Sequence, residues 1–186
     1  TTRLVGSEMC IRDRIVAGQF ADKAVKVGFD NISLNNTETD IIAMIEFEMK
    51  KQGVEKMSFD TMVLTGNNAA NPHGIPGTNK IENNALLLFD LGTDMYGYAS
   101  DMTRTVAVGK PDQFKKDIYN LCLEAHMSAL EFIKPGVLAS EVDEAARKVI
   151  EKAGYGEYFN HRLGHGIGMT CHEFPSIMEG CLLYTS

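Results

Sequence analysis

Two aspartates lie in the two strands of a predicted β-hairpin, and their type and spacing suggest a metal-binding site. Asp90 lies near the end of an apolar run that follows Asn84, a pattern that predicts a buried strand. Asp101 lies in a second run, rich in Tyr, Thr and Val, that continues to Val108. Turn residues at 94–97 separate the two runs. If the hairpin closes there, the two aspartates face each other with Cβ atoms ~4.5–5.5 Å apart.

Two carboxylates at that separation are unfavourable unless a cation lies between them. Burial removes hydration from each carboxylate, and each negative charge raises the pKa of the other. A pair of divalent cations ~3.5–4 Å apart, bridged by the carboxylates, offsets both penalties. The alternative is that one aspartate is an exposed residue at a strand end, while the other accepts hydrogen bonds from amides of the turn.

Three of the five histidines fall in one short glycine-rich segment. Glycines at alternating positions disfavour a long helix and indicate extended chain that approaches another backbone closely. Since the segment is expected to be extended, His161 and His165 are predicted to point the same way, with His172 arriving from beyond a bend. Neutral imidazoles beside two carboxylates suit Mn, Fe, Co or Zn. The alternative is three surface or structural histidines.

The composition is that of an ordinary globular domain. The chain has 186 residues, of which 44% are hydrophobic and 23% charged, with a net charge of −7. It has no basic run, so neither nucleic acid nor a membrane is an expected partner. No apolar run nears the ~20 residues that span a bilayer. The four cysteines form no CxxC pair, and with no secretory signal they predict reduced thiols in a cytoplasmic protein.

Four helices are predicted, two before the hairpin and two after it. The first covers residues 15–28, and Thr37 caps the second with the help of Asp40, three residues later. Residues 109–112 start the third, and Ser140 is expected to cap the fourth, with Asp143 three residues later. The order of helix, helix and strands in the first half thus recurs in part in the second half, which shows no final hairpin. No linker composition separates the halves, so one shared core is expected.

A strand and a long loop rich in Gly, Asn and Pro lie between the second helix and the hairpin. Residues 58–65 alternate as a strand. Residues 66–80 follow, with the sequence GNNAANPHGIPGTNK, and contain His73. Loops of this composition carry binding and catalytic residues more often than core segments do.

Three motifs together resemble those of a known peptidase family. They are FDLGTDMYGYASDMTRT, the loop NNAANPHG, and HRLGHGIG followed by HEFP after three residues. This combination resembles the prolidase and Xaa-Pro aminopeptidase family, and most of all the bacterial Xaa-Pro dipeptidases, over roughly residues 15–180. Methionine aminopeptidases share the fold, but the SDMTRT and HGIGxxxHExP motifs favour the proline-directed branch. The resemblance implies an α+β pita-bread fold, an antiparallel curved sheet covered by helices, with its C-terminal part missing.

The resemblance also implies a set of site residues. Asp90 matches the first metal-ligand aspartate, Asp101 the aspartate that bridges both metals, and His165 the histidine ligand. Thr103 matches a position near the metal shell. Three further histidines match positions that contact substrate, assist proton transfer or stabilise the tetrahedral intermediate: His73, His161 and His172. The implied cofactors are two divalent metal ions. Mn is the expected metal, and Co, Fe or Zn are the alternatives.

The match to the family is incomplete. The family completes its site with two glutamates, and Glu173 and Glu179 match neither of the motifs that contain them. The family's N-terminal domain has no counterpart either. Residues 1–14 and 181–186 do not resemble family sequence. We therefore expect residues 15–180 to be a partial catalytic metallopeptidase domain with non-native ends from sequencing or assembly, and the chain alone to be inactive.

For the parent protein, the resemblance implies hydrolysis of Xaa-Pro peptide bonds by a water activated between two metals. The implied substrate is a peptide with proline in second position, and the implied parent is a homodimer. The alternative is a non-catalytic peptide- or protein-binding module of the same fold. The retained residues Asp90, Asp101 and His165 argue against that alternative and against a creatinase-like hydrolase.

Overall fold

The computed structural model describes residues 8–71 and 74–184. The chain divides into two compact units, Thr1–Pro111 with Ile167–Cys171, and Asp112–Gly166 with His172–Ser186. The buried apolar residues form two separate clusters, whereas the sequence predicted one shared core. Within the described ranges, no helix is both long and apolar enough to cross a lipid bilayer.

The first unit opens with two helices, α1 (Glu8–Asp30) and α2 (Glu38–Lys51). The cap predicted at Thr37 is confirmed. Its Oγ1 accepts a hydrogen bond from the Asp40 N–H at 3.1 Å, and the Asp40 carboxylate accepts one from the Thr37 N–H at 2.8 Å. Helix α1 begins earlier than predicted. The hydrophobic pattern missed its first turns because their buried side includes Asp13, a polar residue.

In the described part of the first unit, six strands follow the two helices: β1 (Lys56–Met57), β2 (Met62–Thr65), β3 (Ala85–Leu91), β4 (Thr93–Met95), β5 (Tyr98–Ala99) and β6 (Met102–Val108). They form two antiparallel sheets with the orders β1–β4–β5 and β2–β3–β6. Along β3, side chains alternate between fully and partly buried positions. The fully buried face of β3 therefore packs into the core, and the other face is partly open.

The turn between β4 and β5 sets the register of the hairpin. Tyr96 and Gly97 both have positive φ, 56° and 79°, as in the two-residue type I′ turn whose twist matches that of the flanking strands. The resulting register places Asp90 opposite Thr103. The predicted pairing of Asp90 with Asp101 is therefore wrong. The register depends on a positive φ at Tyr96, and tyrosine rarely adopts that conformation, so its residue type did not predict this turn.

Gly28 of α1 lies against the core of the first unit. A Cβ at Gly28 would lie 2.6 Å from Cε1 of Phe89 and 3.1 Å from Cδ1 of Ile45, and both of these side chains are fully buried. At Gly18 of the same helix, a Cβ would meet no atom outside the local helix backbone within 4 Å. The two glycines thus differ in packing while sharing one helix.

Alanine at these two glycines should change stability in opposite directions. We expect Gly28→Ala to lower the free energy of unfolding by about 1–3 kcal/mol through overpacking. Gly18→Ala should raise it by about 0.5–1 kcal/mol, because alanine is the better helix former. Urea denaturation of both variants measures the difference, and a stabilised Gly28→Ala protein would contradict the close packing.

The second unit contains a helical pair and a small sheet. Its elements are α3 (Gln113–Phe132), α4 (Ala139–Lys152), a 3-10 helix (Gly156–Tyr158), β7 (Gly164–Gly166) and β8 (Glu173–Ile177). The two helices pack through small and branched residues of one buried cluster, among them Ala125, Ala129, Val142 and Ala146. Strands β7 and β8 pair in antiparallel fashion.

The cap predicted at Ser140 of α4 is wrong, whereas α3 has a cap that the sequence did not predict. Asp112 caps α3, its carboxylate accepting a hydrogen bond from a first-turn N–H at 2.9 Å. Ser140 does not cap α4, because the residue that precedes the helix is Leu138, whose N–H donates to the Glu141 carboxylate at 2.9 Å. Asp143, the expected partner of Ser140, is buried.

Candidate active site

Asp90 lies on the partly open face of β3. It faces Thr103 of β6, whose Oγ1 donates a hydrogen bond to Asp90 Oδ1 at 2.9 Å. The neighbouring residues Phe89 and Leu91 are fully buried, so strand alternation determines the side of the sheet from which the carboxylate projects. The hydroxyl then orients the carboxylate, as outer hydrogen bonds orient metal ligands.

Asp101 immediately precedes β6, and the thiol of Cys171 lies beside it. Cys171 Sγ is 4.0 Å from Asp101 Oδ2. Burial raises the pKa of Cys171 to about 11, together with the negative charges of Asp101 and Asp90. Both carboxylates thus act on one thiol, which means that their negative charge is concentrated in one region of the first unit.

The side chains of this region fit a divalent cation by donor type. Carboxylate oxygens suit hard and intermediate divalent metals such as Mn²⁺ and Mg²⁺. Asp90 and Asp101 supply such oxygens, and the hydrogen bond from Thr103 orients one of the two carboxylates. Across residues 8–71 and 74–184, no group of three or more His, Cys, Asp or Glu side chains is arranged to hold a metal ion.

His165 lies in β7, within the extended chain that the sequence predicted. It pairs with Ser176 of β8, and the register shifts between His165 and Gly166. A Cβ at Gly166 would lie 2.3 Å from the carbonyl oxygen of Phe174, so only glycine allows the two backbones to approach this closely. The glycine-rich pattern was therefore correctly interpreted as close backbone contact at this position.

The ring of His165 contacts a backbone carbonyl and the ring of His172. Its Nδ1 lies 2.9 Å from the Gly166 carbonyl oxygen, and its centroid lies 4.2 Å from that of His172, with the ring planes 42° apart. A carbonyl oxygen can only accept, so this contact requires a proton on Nδ1; in the neutral ring the lone pair is then on Nε2. That tautomer is the one in which Nε2 ligates a metal.

The other predicted histidines have different surroundings. His161 is exposed and precedes β7, so the strand periodicity used to align it with His165 does not apply. Its Nδ1 lies 2.8 Å from the Arg162 carbonyl oxygen, and its ring packs edge-on against Phe159 with centroids 4.8 Å apart. His73 lies outside the described residues.

Glu38 is a buried residue that the sequence analysis did not single out, and it holds the loop at residues 66–80. It lies in the first turn of α2 and is fully buried. Its two carboxylate oxygens accept hydrogen bonds from four residues: Thr65 N–H at 2.8 Å, Gly77 N–H at 2.9 Å, and the side-chain amides of Asn68 and Asn79 at 3.1 Å. These partners lie on both sides of His73 in the sequence, so one carboxylate joins the two ends of the histidine loop.

Residues 15–183 match the model of metallopeptidase family M24. The chain belongs to metallopeptidase family M24. The chain is also 52% identical over 165 residues to the Xaa-Pro dipeptidase of Lactobacillus delbrueckii subsp. lactis. The matched region covers 88% of this chain and 45% of that protein. It is 53% identical over 165 residues to the Xaa-Pro dipeptidase of Lactobacillus helveticus, with the same coverage.

Solved structures place the M24 chain in the pita-bread fold predicted from its motifs. It superposes on the prolidase of Pyrococcus horikoshii OT3 with a TM-score of 0.94 at 41% identity, covering 99% of this chain and 53% of that one. The X-Pro aminopeptidase of Thermotoga maritima MSB8 gives a TM-score of 0.92 at 35% identity, covering 98% and 52%. The M24 chain therefore spans about half the length of the relatives that it matches.

Proposed function

We propose that this M24 chain contributes to metal-dependent hydrolysis of peptide bonds that precede proline. The observation that carries the proposal is the likeness to two Xaa-Pro dipeptidases and a prolidase, combined with the retained pair Asp90 and Asp101. The hydrogen bond from Thr103 to Asp90 supports a ligand role, because it orients the carboxylate.

The proposed residues divide into metal ligands and residues that act on the substrate. Asp90, Asp101 and His165 would hold the divalent cations, the two aspartates through carboxylate oxygens and His165 through Nε2. When bound, such cations would lower the pKa of a bound water and polarise the scissile carbonyl. Mn is the proposed metal, with Co, Fe or Zn as alternatives. Three histidines then stabilise the oxyanion and transfer protons: His73, His161 and His172.

We also propose that activity requires polypeptide beyond these 186 residues. The motif resemblance assigns two further ligands to glutamates, and Glu173 and Glu179 do not match their motifs. The coverage of about half of each relative supports the same proposal. With three of the five ligands that the motif resemblance assigns to two metals, the chain alone should bind metal weakly and give no measurable hydrolysis.

The test compares the chain with a chimaera in which residues 15–183 replace the matching region of the Lactobacillus delbrueckii subsp. lactis dipeptidase. Both proteins are stripped of metal, reloaded with Mn²⁺, and assayed with Leu-Pro and Leu-Ala. We expect the chimaera to cleave Leu-Pro in preference to Leu-Ala, and the chain alone to give no rate above that of Mn²⁺ in buffer. Peptide binding without cleavage by a folded, metal-loaded chimaera would indicate the binding-module alternative instead.

A further inference from the structure

We propose that Asp143 and Arg147 of α4 are positioning residues that hold residues 159–163, and through them His161 and His165, in one arrangement for the reaction. The inference rests on the proposed function, because it assigns those two histidines to peptide hydrolysis. The contacts that carry it all lie within the second unit.

The carboxylate of Asp143 bonds both to the backbone before β7 and to Arg147. Its Oδ1 accepts a hydrogen bond from the Leu163 N–H at 3.0 Å, and that N–H also lies 3.0 Å from the Ile177 carbonyl oxygen of β8. The Nε and Nη2 atoms of Arg147 donate to the two oxygens of Asp143 at 2.8 and 3.1 Å. Asp143 therefore connects α4 to the backbone just before His165.

The guanidinium of Arg147 bonds to two backbone carbonyls of the segment that precedes β7. It donates to the Phe159 carbonyl at 2.6 Å and to the His161 carbonyl at 3.0 Å. It also lies over the Phe159 ring, 4.3 Å from the centroid, and the same ring packs against the imidazole of His161. A planar group with five donors can serve two carbonyls and a carboxylate together, whereas a lysine ammonium cannot reproduce this geometry.

Burial distinguishes this pair from an ordinary ion pair on a helix surface. The side chains of Asp143 and Arg147 are 2% and 24% exposed. The next pair along α4, Glu144 and Lys148, has the same spacing and an N–O distance of 2.7 Å, but its side chains are 58% and 66% exposed. Such exposed pairs contribute little to stability. The exposed pair therefore provides a matched control on the same helix.

The first experiment measures hydrogen exchange of the 186-residue chain, without metal. In Arg147→Lys, which keeps the charge, amides of residues 159–166 should exchange at least tenfold faster than in the unaltered chain, while amides of β3 and β6 keep their rates. Lys148→Gln should change neither region. Unchanged exchange at 159–166, or an equal increase in every element, overturns the proposal.

Ring proximity gives a second measurement that a general loss of stability does not reproduce. The His165 and His172 rings lie 4.2 Å apart, so each shifts the proton resonances of the other. In folded Arg147→Lys, these resonances should move toward the positions of isolated histidines. If that variant fails to fold, Phe159→Leu, which removes the ring beneath the guanidinium and keeps an apolar side chain, takes its place. Unmoved resonances in a folded variant count against the proposal.

Turnover separates this inference from the proposed function. In the chimaera, Arg147→Lys should lower kcat for Leu-Pro about 10–100-fold with KM little changed, because the histidines are misplaced rather than removed. Faster exchange with unchanged kcat would overturn the positioning role. If the unaltered chimaera cleaves no peptide, the proposed function fails, and the ordering of residues 159–163 by Arg147 is then decided by exchange and ring shifts alone.

Discussion

Replacing Glu38 with alanine is expected to lower the free energy of unfolding by about 3–5 kcal/mol. The carboxylate is fully buried and accepts hydrogen bonds from two backbone amides and two asparagine side chains. Alanine leaves those donors without their acceptor inside the protein, and each buried unsatisfied donor costs about 1–3 kcal/mol. Relaxation of the loop recovers part of this loss, which limits the total.

Glu38→Gln separates the shape of the side chain from its hydrogen bonding. Glutamine fills the same space but presents an NH₂ group where the carboxylate had an oxygen, so it places a donor against the Gly77 N–H or the Thr65 N–H. Most of the destabilisation should therefore remain in this variant. Glu46→Ala on the exposed side of α2 is the matched control and should stay within about 0.5 kcal/mol of the unaltered chain.

Urea denaturation of the three variants measures these differences. A Glu38→Ala protein as stable as Glu46→Ala would show that the loop satisfies its donors in some other way. Hydrogen exchange adds a local measurement, because amides of residues 74–80 should lose protection in Glu38→Gln before those of β3 do. The loop contains His73, so the same variant in the active chimaera should also reduce turnover.

Predictions from the sequence were most accurate where the determining contacts are local. The Thr37 cap requires only Asp40, three residues away, and it was predicted and confirmed. The glycine-rich histidine segment was predicted to be extended, and β7 confirms this at Gly166, where no side chain fits. In each case, residue type at short spacing restricts the backbone to few conformations.

The hairpin shows where local information ends. The residue types around Asp94 predict a turn, but the register depends on which two residues adopt positive φ, and one of them is Tyr96. The pairing of Asp90 with Thr103 instead of Asp101 follows from that choice. The prediction therefore assigned Asp90 to the correct strand but to the wrong cross-strand partner.

The buried carboxylates could not be predicted because their partners are distant in the sequence. Glu38 binds residues 27 to 41 positions away, and no short pattern encodes that distance. Asp143 has the spacing of a capping residue after Ser140, yet its carboxylate bonds to Leu163, 20 positions away. Only the folded chain reveals that these acidic residues hold the segments in which the histidines lie.

Asp90→Asn in the metal-loaded chimaera is expected to reduce bound Mn²⁺ and to lower kcat/KM for Leu-Pro at least about 100-fold. Asparagine keeps the size of the side chain and can still accept the hydrogen bond from Thr103, so what changes is the negative charge and one ligand oxygen. Bound metal, measured by elemental analysis after dialysis, should fall together with the rate. Asp22→Asn, at an exposed position of α1, should change neither quantity.

Thr103 provides the means to separate charge from orientation at Asp90. Thr103→Val removes the hydroxyl that donates to Asp90 Oδ1 but keeps the branched shape and the charge of the carboxylate. Loss of such an outer hydrogen bond typically weakens metal binding or activity about 10–100-fold, and Thr103→Ser should restore most of that loss. A full complement of Mn²⁺ in Asp90→Asn would remove Asp90 from the ligand set. A normal Mn²⁺ affinity in Thr103→Val, with Asp90→Asn impaired, would show that the charge of the carboxylate matters and its orientation by Thr103 does not.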